Sequence, residues 1–393
     1  MFSIDRLIDL LPKVGGEDGM SKHSIMNVPM YFSLYTNDCF QNAYGSVLSY
    51  LGLDPDLILA DYLSFVYDRE SGFAGINYIH KDTTSVEYSE EDLNISLEYV
   101  YYPATTYFSR RQKDNIKSIE DDKIKITMYI DDDQDIAYSR MKELIDSEMP
   151  VVTIVDMYYM NYHKAYHREH GLHAIVVTGY NEEENYVEIF DKNKFSNCDF
   201  QGKISIDELK LARSSENDSG RLRRPIRNLW MEFSKSEQFF YNEDRWRTII
   251  KESCIRMRGE KELLGYKCGL DSLEDFRKDL LAKKYEKPEP QLMDLFRHYY
   301  SALFRSLSRS RNRFSAFISA LGSLLPEELV NEMKSLLKAA ADSWEINANL
   351  SVRLSITKKM ESIDKLDEQL RIIRNCENSV VEKLYDFLML NEK

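Results

Sequence analysis

Long hydrophobic runs are missing from this 393-residue sequence, and their absence restricts where the protein acts. No stretch approaches the ~18 consecutive apolar residues that a membrane-spanning helix needs. Charged residues at Asp5, Arg6 and Asp9 interrupt the apolar stretch near the N-terminus, which is unlike the core of a secretory signal peptide. We therefore expect a cytoplasmic protein that does not act on a membrane.

Cysteine is scarce, with five residues at positions 39, 198, 254, 268 and 376. No two of them have the short spacing of zinc ligands, so the sequence predicts no metal centre of that kind. The odd number, without a signal peptide, favours reduced thiols over a disulfide framework. Each cysteine is therefore either an apolar core residue or a reactive thiol.

Basic residues are too few to balance the acidic ones. The 52 Lys and Arg residues stand against 66 Asp and Glu residues, which gives a net charge of −14. Because this excess of negative charge repels phosphate backbones, we expect no nucleic-acid partner. The excess lies in residues 1–235, whereas residues 236–393 are close to neutral, so the two parts are expected to meet different partners.

The hydrophobic pattern changes near residue 238. Before it, short helical and strand patterns alternate; after it, apolar residues recur three or four positions apart over most of the sequence. The sequence therefore predicts an α+β fold over residues 1–238, followed by an all-helical domain over residues 239–393. Two domains also suit the length of the chain.

The segment DCFQNAYGSVLSYLG places Cys39 at the expected start of a helix. Asp38 is a good N-cap residue, and apolar residues recur at helical spacing as far as Leu51. Two interpretations of the thiol stay open. It is either a small core side chain, or a nucleophile whose thiolate is stabilised by the helix N-terminus and opposed by the charge of Asp38.

A predicted β-hairpin brings a histidine and a carboxylate together. The strand-like runs HAIVVTGY and NYVEIFD flank the turn-like NEEE. If residues 181–184 form the turn, His173 and Asp191 face each other within side-chain reach. A carboxylate there orients an imidazole and stabilises its charged form. The plainer interpretation is a polar pair at a sheet end, and a one-residue slip would separate the two side chains.

The spacing and order of these residues agree with a third observation. Cys39 precedes His173 by 134 positions, within the ~130–150 residues that separate nucleophile and base in papain-like enzymes, although such spacings transfer poorly between families. A thiol from a helix start and an imidazole from a sheet would meet in a cleft between two layers. The residues thus favour a Cys39–His173–Asp191 set.

Several runs resemble the butirosin biosynthesis protein H family. DMYY and HAIVVTGY are the most specific, and DCFQNAYGSVLSYLG, LWMEF and GYKCGLDSLEDFRKDL are similar to other parts of that family, so the resemblance covers nearly the whole chain. It implies a papain-like N-terminal domain, a helical C-terminal domain, and acyl transfer from a carrier-protein thioester to an amine in natural-product assembly. It makes Cys39 the nucleophile, His173 the base and Asp191 the orienting acid.

The resemblance also implies the partners. The donor is an acyl or peptidyl carrier protein whose phosphopantetheine arm bears the acyl group, and the acceptor is a small-molecule amine. No cofactor of the chain's own is implied. One departure concerns the oxyanion: papain-like enzymes place a glutamine shortly before the cysteine, but no glutamine precedes Gln41. The backbone N–H of Cys39 is one expected donor, and Asn37 or Asn42 is the candidate second donor.

The run VVTIVDMYYM predicts a buried strand whose end lies beside the hairpin. Asp156 is a candidate contact for a cationic amine, and Tyr158 and Tyr159 are candidates for the wall of a cleft. A polar strand end with ordinary core aromatics is an equally good interpretation. His170, in the loop that follows, is a fourth candidate substrate contact.

Four histidines lie close together before and at the hairpin. They lack the cysteines and supporting residues of a zinc site, so we predict no metal here and interpret the first three as loop or substrate-cleft residues. The four are His163, His167, His170 and His173. The acidic run IDDDQD lacks the glycine and final glutamate of a calcium loop and is expected to face solvent.

Arginines at helical spacing form a candidate docking face for the carrier protein. Arg305, Arg309 and Arg313 fall at i, i+4 and i+8, and carrier proteins tend to be acidic and to bear a phosphate on their arm. A solvated helix face, or ion pairs between domains, is the plainer interpretation. The basic run RLRRPIR is a second candidate.

Two other functions stay open on the sequence. A cysteine peptidase or amidase would use the same three residues to hydrolyse its substrate without a carrier. A non-catalytic binding module would keep the fold and lose nothing on replacement of Cys39 with alanine. The missing signal peptide and the large helical part count against a secreted protease.

Overall fold

The computed structural model describes residues 21–32, 39–61, 63–76, 83–88, 123–193, 198–217, 225–235, 237, 239–262, 266–322 and 324–390. Within them, a mixed α/β region precedes a region built of helices, as predicted. The candidate donor Asn37, the candidate cap Asp38 and the start of the basic run at Arg221 lie outside the described residues.

The α/β region contains short helices and a large sheet. In chain order the elements are β1 (Lys22–Ser24), α1 (Cys39–Tyr50), α2 (Pro55–Ile58), β2 (Val66–Tyr67), β3 (Ala74–Gly75), β4 (Thr84–Tyr88), β5 (Ile124–Tyr129), α3 (Gln134–Asp146), β6 (Val151–Asp156), β7 (Leu172–Asn181), β8 (Tyr186–Asn193), β9 (Cys198–Ser205), α4 (Ile206–Arg213) and β10 (Trp230–Lys235).

The helical region begins after β10. It contains α5 (Glu243–Met257), α6 (Leu270–Ala282), α7 (Pro290–Asp294), a π-helical turn (Leu295–Tyr300), α8 (Ser301–Ala320), α9 (Glu327–Thr357) and α10 (Ser362–Leu390). Pro326 is the N-cap of α9. Among the described residues, no helix is long and apolar enough to cross a membrane.

The main sheet has the strand order β4-β5-β10-β6-β7-β8-β9, with β1 paired to β7. Its described pairings are antiparallel except that of β4 with β5. Residues of β7 alternate between two cores: Ala174 and Val176 pack on the side of α1, and Ile175 and Val177 on the side of α3 and α4. Both faces of β7 are therefore covered, which explains its nearly unbroken apolar run.

Helix α1 starts at Cys39 and buries the face that the sequence predicted. Phe40, Tyr44 and Val47 are fully buried against the sheet. The helix stops at Tyr50, and Gly52 follows with a φ of 75°, a left-handed conformation that glycine adopts without strain. The predicted helix is confirmed.

A β-bulge corrects the predicted register of the hairpin. The turn falls between Asn181 and Tyr186, and Thr178 is an extra residue because the pairing shifts between Val177 and Gly179. The prediction that His173 lies directly opposite Asp191 is therefore wrong. On the far side of the bulge, Val177 pairs with Ile189, and continuing this register places Asp191 diagonally across from His173, two residues away.

The bulge decides whether the two side chains can meet. A two-residue shift leaves His173 and Asp191 on one face, because side chains alternate along a strand. The register next to the turn, in which Gly179 pairs with Glu188, would place them on opposite faces if it continued to the end of the hairpin. One inserted residue restores the shared face.

The predicted strand VVTIVDMYYM is shorter than expected. Strand β6 ends at Asp156, and a single 3-10 turn covers Met157–Tyr159. The side chain of Asp156 accepts a hydrogen bond from the backbone N–H of Tyr158 and so caps this turn. An aspartate that caps a turn ends the strand, although the aromatic residues after it favour strand structure.

One hydrophobic core joins the two regions. Phe40 and Tyr44 of α1 belong to the same buried cluster as Phe276, Phe304 and residues of α9 and α10. The helical region thus shares a hydrophobic core with the helix that holds Cys39. The predicted boundary at 238/239 lies between β10 and α5 and stays a prediction.

A buried ion pair fastens the helical region internally. Arg311 of α8 and Glu377 of α10 are fully buried, with Nε–Oε1 and Nη2–Oε2 distances of 2.6 and 2.8 Å. Trp344 also donates to Glu377, and Arg311 donates to the carbonyl of Ser64 in the α/β region. Every charged atom thus has a partner, which a buried pair requires.

Replacing Arg311 with methionine should lower the free energy of unfolding by about 3–5 kcal/mol, because Glu377 would stay buried without its cation. The double variant Arg311→Met/Glu377→Leu should recover much of this loss. Urea unfolding followed by circular dichroism measures both. The control is Lys338→Met, which removes an exposed pair with Asp342 and should cost less than about 1 kcal/mol; equal losses for Arg311→Met and Lys338→Met would contradict the expectation.

Candidate active site

Cys39 is the first residue of α1 and is partly exposed. Its sulfur accepts a hydrogen bond from the backbone N–H of Ala174 in β7, at 3.4 Å. The N–H groups of the first helical turn also face this end of α1. The helix start and the strand thus hold the thiol between two layers.

His173 lies next to the sulfur and is almost fully buried, with 1 % of its surface exposed. Burial alone would lower its pKa, but the charge of Asp191, together with that of Cys39 and hydrogen bonds to both, raises the pKa of His173 well above its usual value. Because Nε2 is occupied by Asp191, Nδ1 is the nitrogen left to exchange a proton with Cys39. The imidazole is therefore held as a cation between two acidic partners.

Asp191 completes the set, and it is also buried. Its Oδ2 lies 2.7 Å from His173 Nε2, and the same oxygen accepts a hydrogen bond from Tyr162 Oη at 3.1 Å. The Tyr162 ring is held by parallel stacking on Phe200, at 3.9 Å between centroids. The structure thus brings together the three residues that the sequence predicted to act together.

Tyr162 was not identified from the sequence. It belongs to the loop between β6 and β7, and its contact with Asp191 depends on how this loop folds back over the hairpin. A single sequence carries no signal for such a contact. The pairing of Asp191 with Phe200 explains the geometry, because it places the ring that supports Tyr162 beside the carboxylate.

His163 covers the other side of the histidine. Its ring lies 5.5 Å from that of His173, and its Nδ1 accepts a hydrogen bond from the N–H of Ala165. Burial, and secondarily the neighbouring cation of His173, lowers the pKa of His163 to about 4. His163 is therefore a neutral ring that shields the pair, which agrees with its interpretation as a loop residue.

Of the two asparagine candidates for the oxyanion donor, the structure describes Asn42. Asn42 is buried in the first turns of α1, and its Nδ2 donates to the carbonyl of Lys192 at 2.7 Å. One amide hydrogen of Asn42 thus joins α1 to the strand that carries Asp191. The backbone N–H of Cys39 stays an expected donor, and so does Asn37 outside the described residues.

Asp156 lies at the end of β6 and accepts hydrogen bonds from four groups. The donors are the backbone N–H groups of Tyr158 and Gly171, the His170 ring at Nδ1 and the Ser215 hydroxyl. Asp156 is fully buried. Because Tyr158 and Gly171 lie at the two ends of the loop that contains Tyr162 and His163, these bonds hold the ends of the loop together. Its carboxylate is occupied by the protein itself.

Two other candidate contacts form an aromatic group around His170. Tyr158 stacks on His170 with 4.0 Å between the ring centroids, and Tyr159 meets Tyr158 edge-on at 5.1 Å. All three side chains are partly exposed. They are thus accessible, whereas the carboxylate that orients His170 is not.

The three arginines of α8 do not form one exposed face. Arg313 is 3 % exposed and bonds to Tyr31 and Asp56. Arg305 is partly exposed and lies 3.8 Å from Glu345, and Arg309 is partly buried. Among the described residues, no three His, Cys, Asp or Glu side chains are grouped so that they could hold a metal ion.

Replacing Asp191 with asparagine should lower the pKa of His173, because the carboxylate is the main group that raises it. Iodoacetate alkylation of Cys39 should follow a bell-shaped pH profile whose alkaline limb reports loss of the imidazolium proton. The variant should move that limb to lower pH. The control Asp199→Asn, which removes an exposed carboxylate paired with Lys192, should leave it in place, and an unmoved limb in Asp191→Asn would contradict the assignment.

Tyr162→Phe should shift the same limb in the opposite direction. The hydroxyl stabilises the charge on Asp191, so its removal leaves a more basic carboxylate and a higher pKa for His173. Loss of one such bond should change the alkylation rate by about 2- to 12-fold. Tyr166→Phe is the matched control, since Tyr166 stacks on His167; a shift to lower pH in Tyr162→Phe would refute the predicted direction.

Comparison with known proteins agrees with the resemblance noted in the sequence. Residues 38–192 match the family described as butirosin biosynthesis protein H, N-terminal. The matched segment starts just before Cys39 and ends just after Asp191, so it includes all three side chains of the candidate site. No curated protein matches the chain. The chain therefore carries, at residues 38–192, the N-terminal domain of the butirosin biosynthesis protein H family.

Proposed function

We propose that the protein is an acyltransferase that moves an acyl group from a carrier-protein thioester, through an acyl-enzyme on Cys39, to an amine. The family domain indicates a role in butirosin-type natural-product biosynthesis. The observation that carries the finer proposal is the buried His173–Asp191 pair beside a partly exposed thiol at a helix start. Such an arrangement places a base and its orienting carboxylate beside a nucleophilic thiol.

In the first half-reaction, His173 holds, as an imidazolium, the proton that the Cys39 thiol has given up. The thiolate attacks the thioester carbonyl, the carbon–sulfur bond to the pantetheine arm breaks, and His173 returns the proton to the leaving thiol. One thioester replaces another, so the step needs orientation more than driving force. The raised pKa of His173 suits a group that must hold this proton.

In the second half-reaction, an amine attacks the acyl-enzyme. His173 accepts the proton that the amine loses, the bond from the acyl carbon to Cys39 breaks, and an amide leaves. Over the cycle a thioester and an amine become an amide and a free thiol. Amide formation from a thioester is favourable, and the reaction consumes no cofactor.

Water must be kept from the acyl-enzyme, because hydrolysis would waste the donor. Tyr162 and His163 cover the His173–Asp191 pair, which is 1–3 % exposed. The loop that carries them is closed at both ends by Asp156. A covered base that acts on a partly exposed thiol favours transfer over hydrolysis.

The acceptor amine is proposed to bind near His170, Tyr158 and Tyr159. These rings are partly exposed and offer an aromatic surface on which a cationic amine can bind. Asp156 takes part by orienting His170 rather than by meeting the amine, because its oxygens already accept four hydrogen bonds. The carrier protein is proposed to dock through Arg305 and Arg309, since Arg313 is occupied within the chain.

The direct test is acyl loading of Cys39 from small thioesters of pantetheine and N-acetylcysteamine, and then from acylated carrier proteins. Mass spectrometry of the intact protein and of its Cys39 peptide should show an increment equal to the acyl group. The adduct should disappear on addition of an amine and should yield an amide. Cys39→Ala should show no adduct, while Cys376→Ala, which removes another partly exposed thiol, should load normally.

Two outcomes would contradict the proposal. If the adduct is hydrolysed at the same rate with and without amines and yields no amide, the protein is a hydrolase of the peptidase or amidase kind. Absence of any adduct, while Cys39 still reacts with iodoacetate, would show that the thiol is activated for a different substrate class.

A further inference from the structure

Tyr31 lies against the helix that begins with the nucleophile. Its backbone N–H donates to Ser46 Oγ of α1 at 3.1 Å, and its ring covers Gly45. A Cβ atom added at Gly45 would lie 2.0 Å from Tyr31 Cδ1, so only glycine permits this approach. Tyr31 thus determines how the middle of α1 is seated.

The hydroxyl of Tyr31 joins α1 to the helical region. It donates to Asp56 Oδ1 of α2 at 2.8 Å and accepts from Arg313 Nη1 of α8 at 2.6 Å. Arg313 also lies 2.9 Å from Asp56 Oδ1, which closes a triangle of one cation, one hydroxyl and one carboxylate. Burial raises the pKa of Tyr31 to about 12, so the hydroxyl stays a donor at neutral pH.

The triangle lies close to the candidate active site. Tyr31 borders a cavity of about 10 Å³, room for about one water molecule, together with Cys39, Asn42 and Asp191. Tyr31 therefore bonds to Arg313 and also lines a cavity that Cys39 lines. A shift of Tyr31 would move α1 relative to the strands that carry His173 and Asp191.

We propose that Arg313 is a positioning residue, through which the helical region aligns Cys39 with His173 by way of Tyr31 and α1. The inference rests on the proposed nucleophilic role of Cys39. It gives the helical region a part in the chemistry of a site whose three reacting side chains all belong to the α/β region. It also explains why a cation of α8 is buried although the helix has a partly exposed side.

A purely structural anchor would make a different prediction. Loss of such an anchor lowers the stability of the protein but leaves the folded fraction with an unchanged thiol. Loss of a positioning contact changes the reactivity of the folded fraction, because a misplacement of about 1 Å in a reacting group costs up to about 100-fold in rate. The two are separated by reactivity measured per folded molecule.

The experiment is the pH profile of iodoacetate alkylation at the Cys39 peptide, read by mass spectrometry, in the full chain below its unfolding temperature. Arg313→Met and Tyr31→Phe are compared with the wild type. Arg277→Met is the matched control: Arg277 is also partly buried, and it pairs with Glu274 and Asp367 inside the helical region only. Circular dichroism and thermal unfolding give the folded fraction of each variant.

Arg313→Met should alkylate Cys39 about 10- to 100-fold more slowly than the wild type at pH 7, with a flattened bell-shaped profile. Tyr31→Phe should show the same change in smaller measure, and Arg277→Met should keep the wild-type profile. If Arg313→Met does not fold, Tyr31→Phe decides the question. A wild-type profile in the folded variants, or an equal loss in Arg277→Met, would overturn the inference.

The same experiment keeps the two proposals apart. A wild type whose Cys39 shows no bell-shaped profile contradicts the nucleophile–base pair itself, and with it the proposed function. A wild type with the bell-shaped profile and variants that match it contradicts only the role of Arg313. If Arg313→Met lowers the alkylation rate, acyl loading of the same variant shows whether acylation of Cys39 falls by the same factor.

Discussion

The hydrogen bond between His173 Nε2 and Asp191 Oδ2 is the interaction on which the candidate site depends. Both groups are buried, so the carboxylate and the imidazolium stabilise each other in surroundings where neither charge would persist alone. The bond exists because Thr178 is inserted into β7 as a bulge and returns the two side chains to one face of the sheet. A local irregularity of the backbone thus sets the chemistry of the site.

The residues around this pair are arranged to protect it. Tyr162 donates to the carboxylate, and His163 covers the imidazole and stays neutral at ordinary pH. Asp156 fixes the ends of the loop that supplies both. The two carboxylates therefore have different roles: Asp191 balances the charge of His173, and Asp156 holds the loop that covers the pair.

The helical region is bound to the α/β region by polar as well as apolar contacts. Arg311 pairs with Glu377 within the bundle and also donates to the carbonyl of Ser64 in the α/β region. Arg313 bonds to Tyr31 and Asp56 of the α/β region. Their spacing of two residues directs them to different sides of α8. The acidic residues of the α/β region thus meet some of the basic residues of the helical region within the folded chain.

The regular elements around the site were predictable from the sequence. The helix from Cys39, the glycine that ends it, the hairpin and the long helices after residue 239 all follow from apolar spacing and turn residues, which act over a few positions. The set of Cys39, His173 and Asp191 was also proposed from order and spacing. The register of the hairpin was predicted wrongly because the turn covers residues 182–185 rather than 181–184. The end of β6 was predicted wrongly because a capping aspartate depends on contacts that periodicity does not encode.

The sequence by itself indicated which segments become helices and strands, and it supplied the proposed nucleophile, base and orienting acid. Only the tertiary structure decided that Tyr162 supports Asp191, that Asp156 is occupied by its own loop, and that Arg313 lies inside the chain rather than on a docking face. The physical reason is distance along the chain. Each of these contacts joins segments that local propensity treats independently, and only the packing of the sheet, the loop and the helices brings them together.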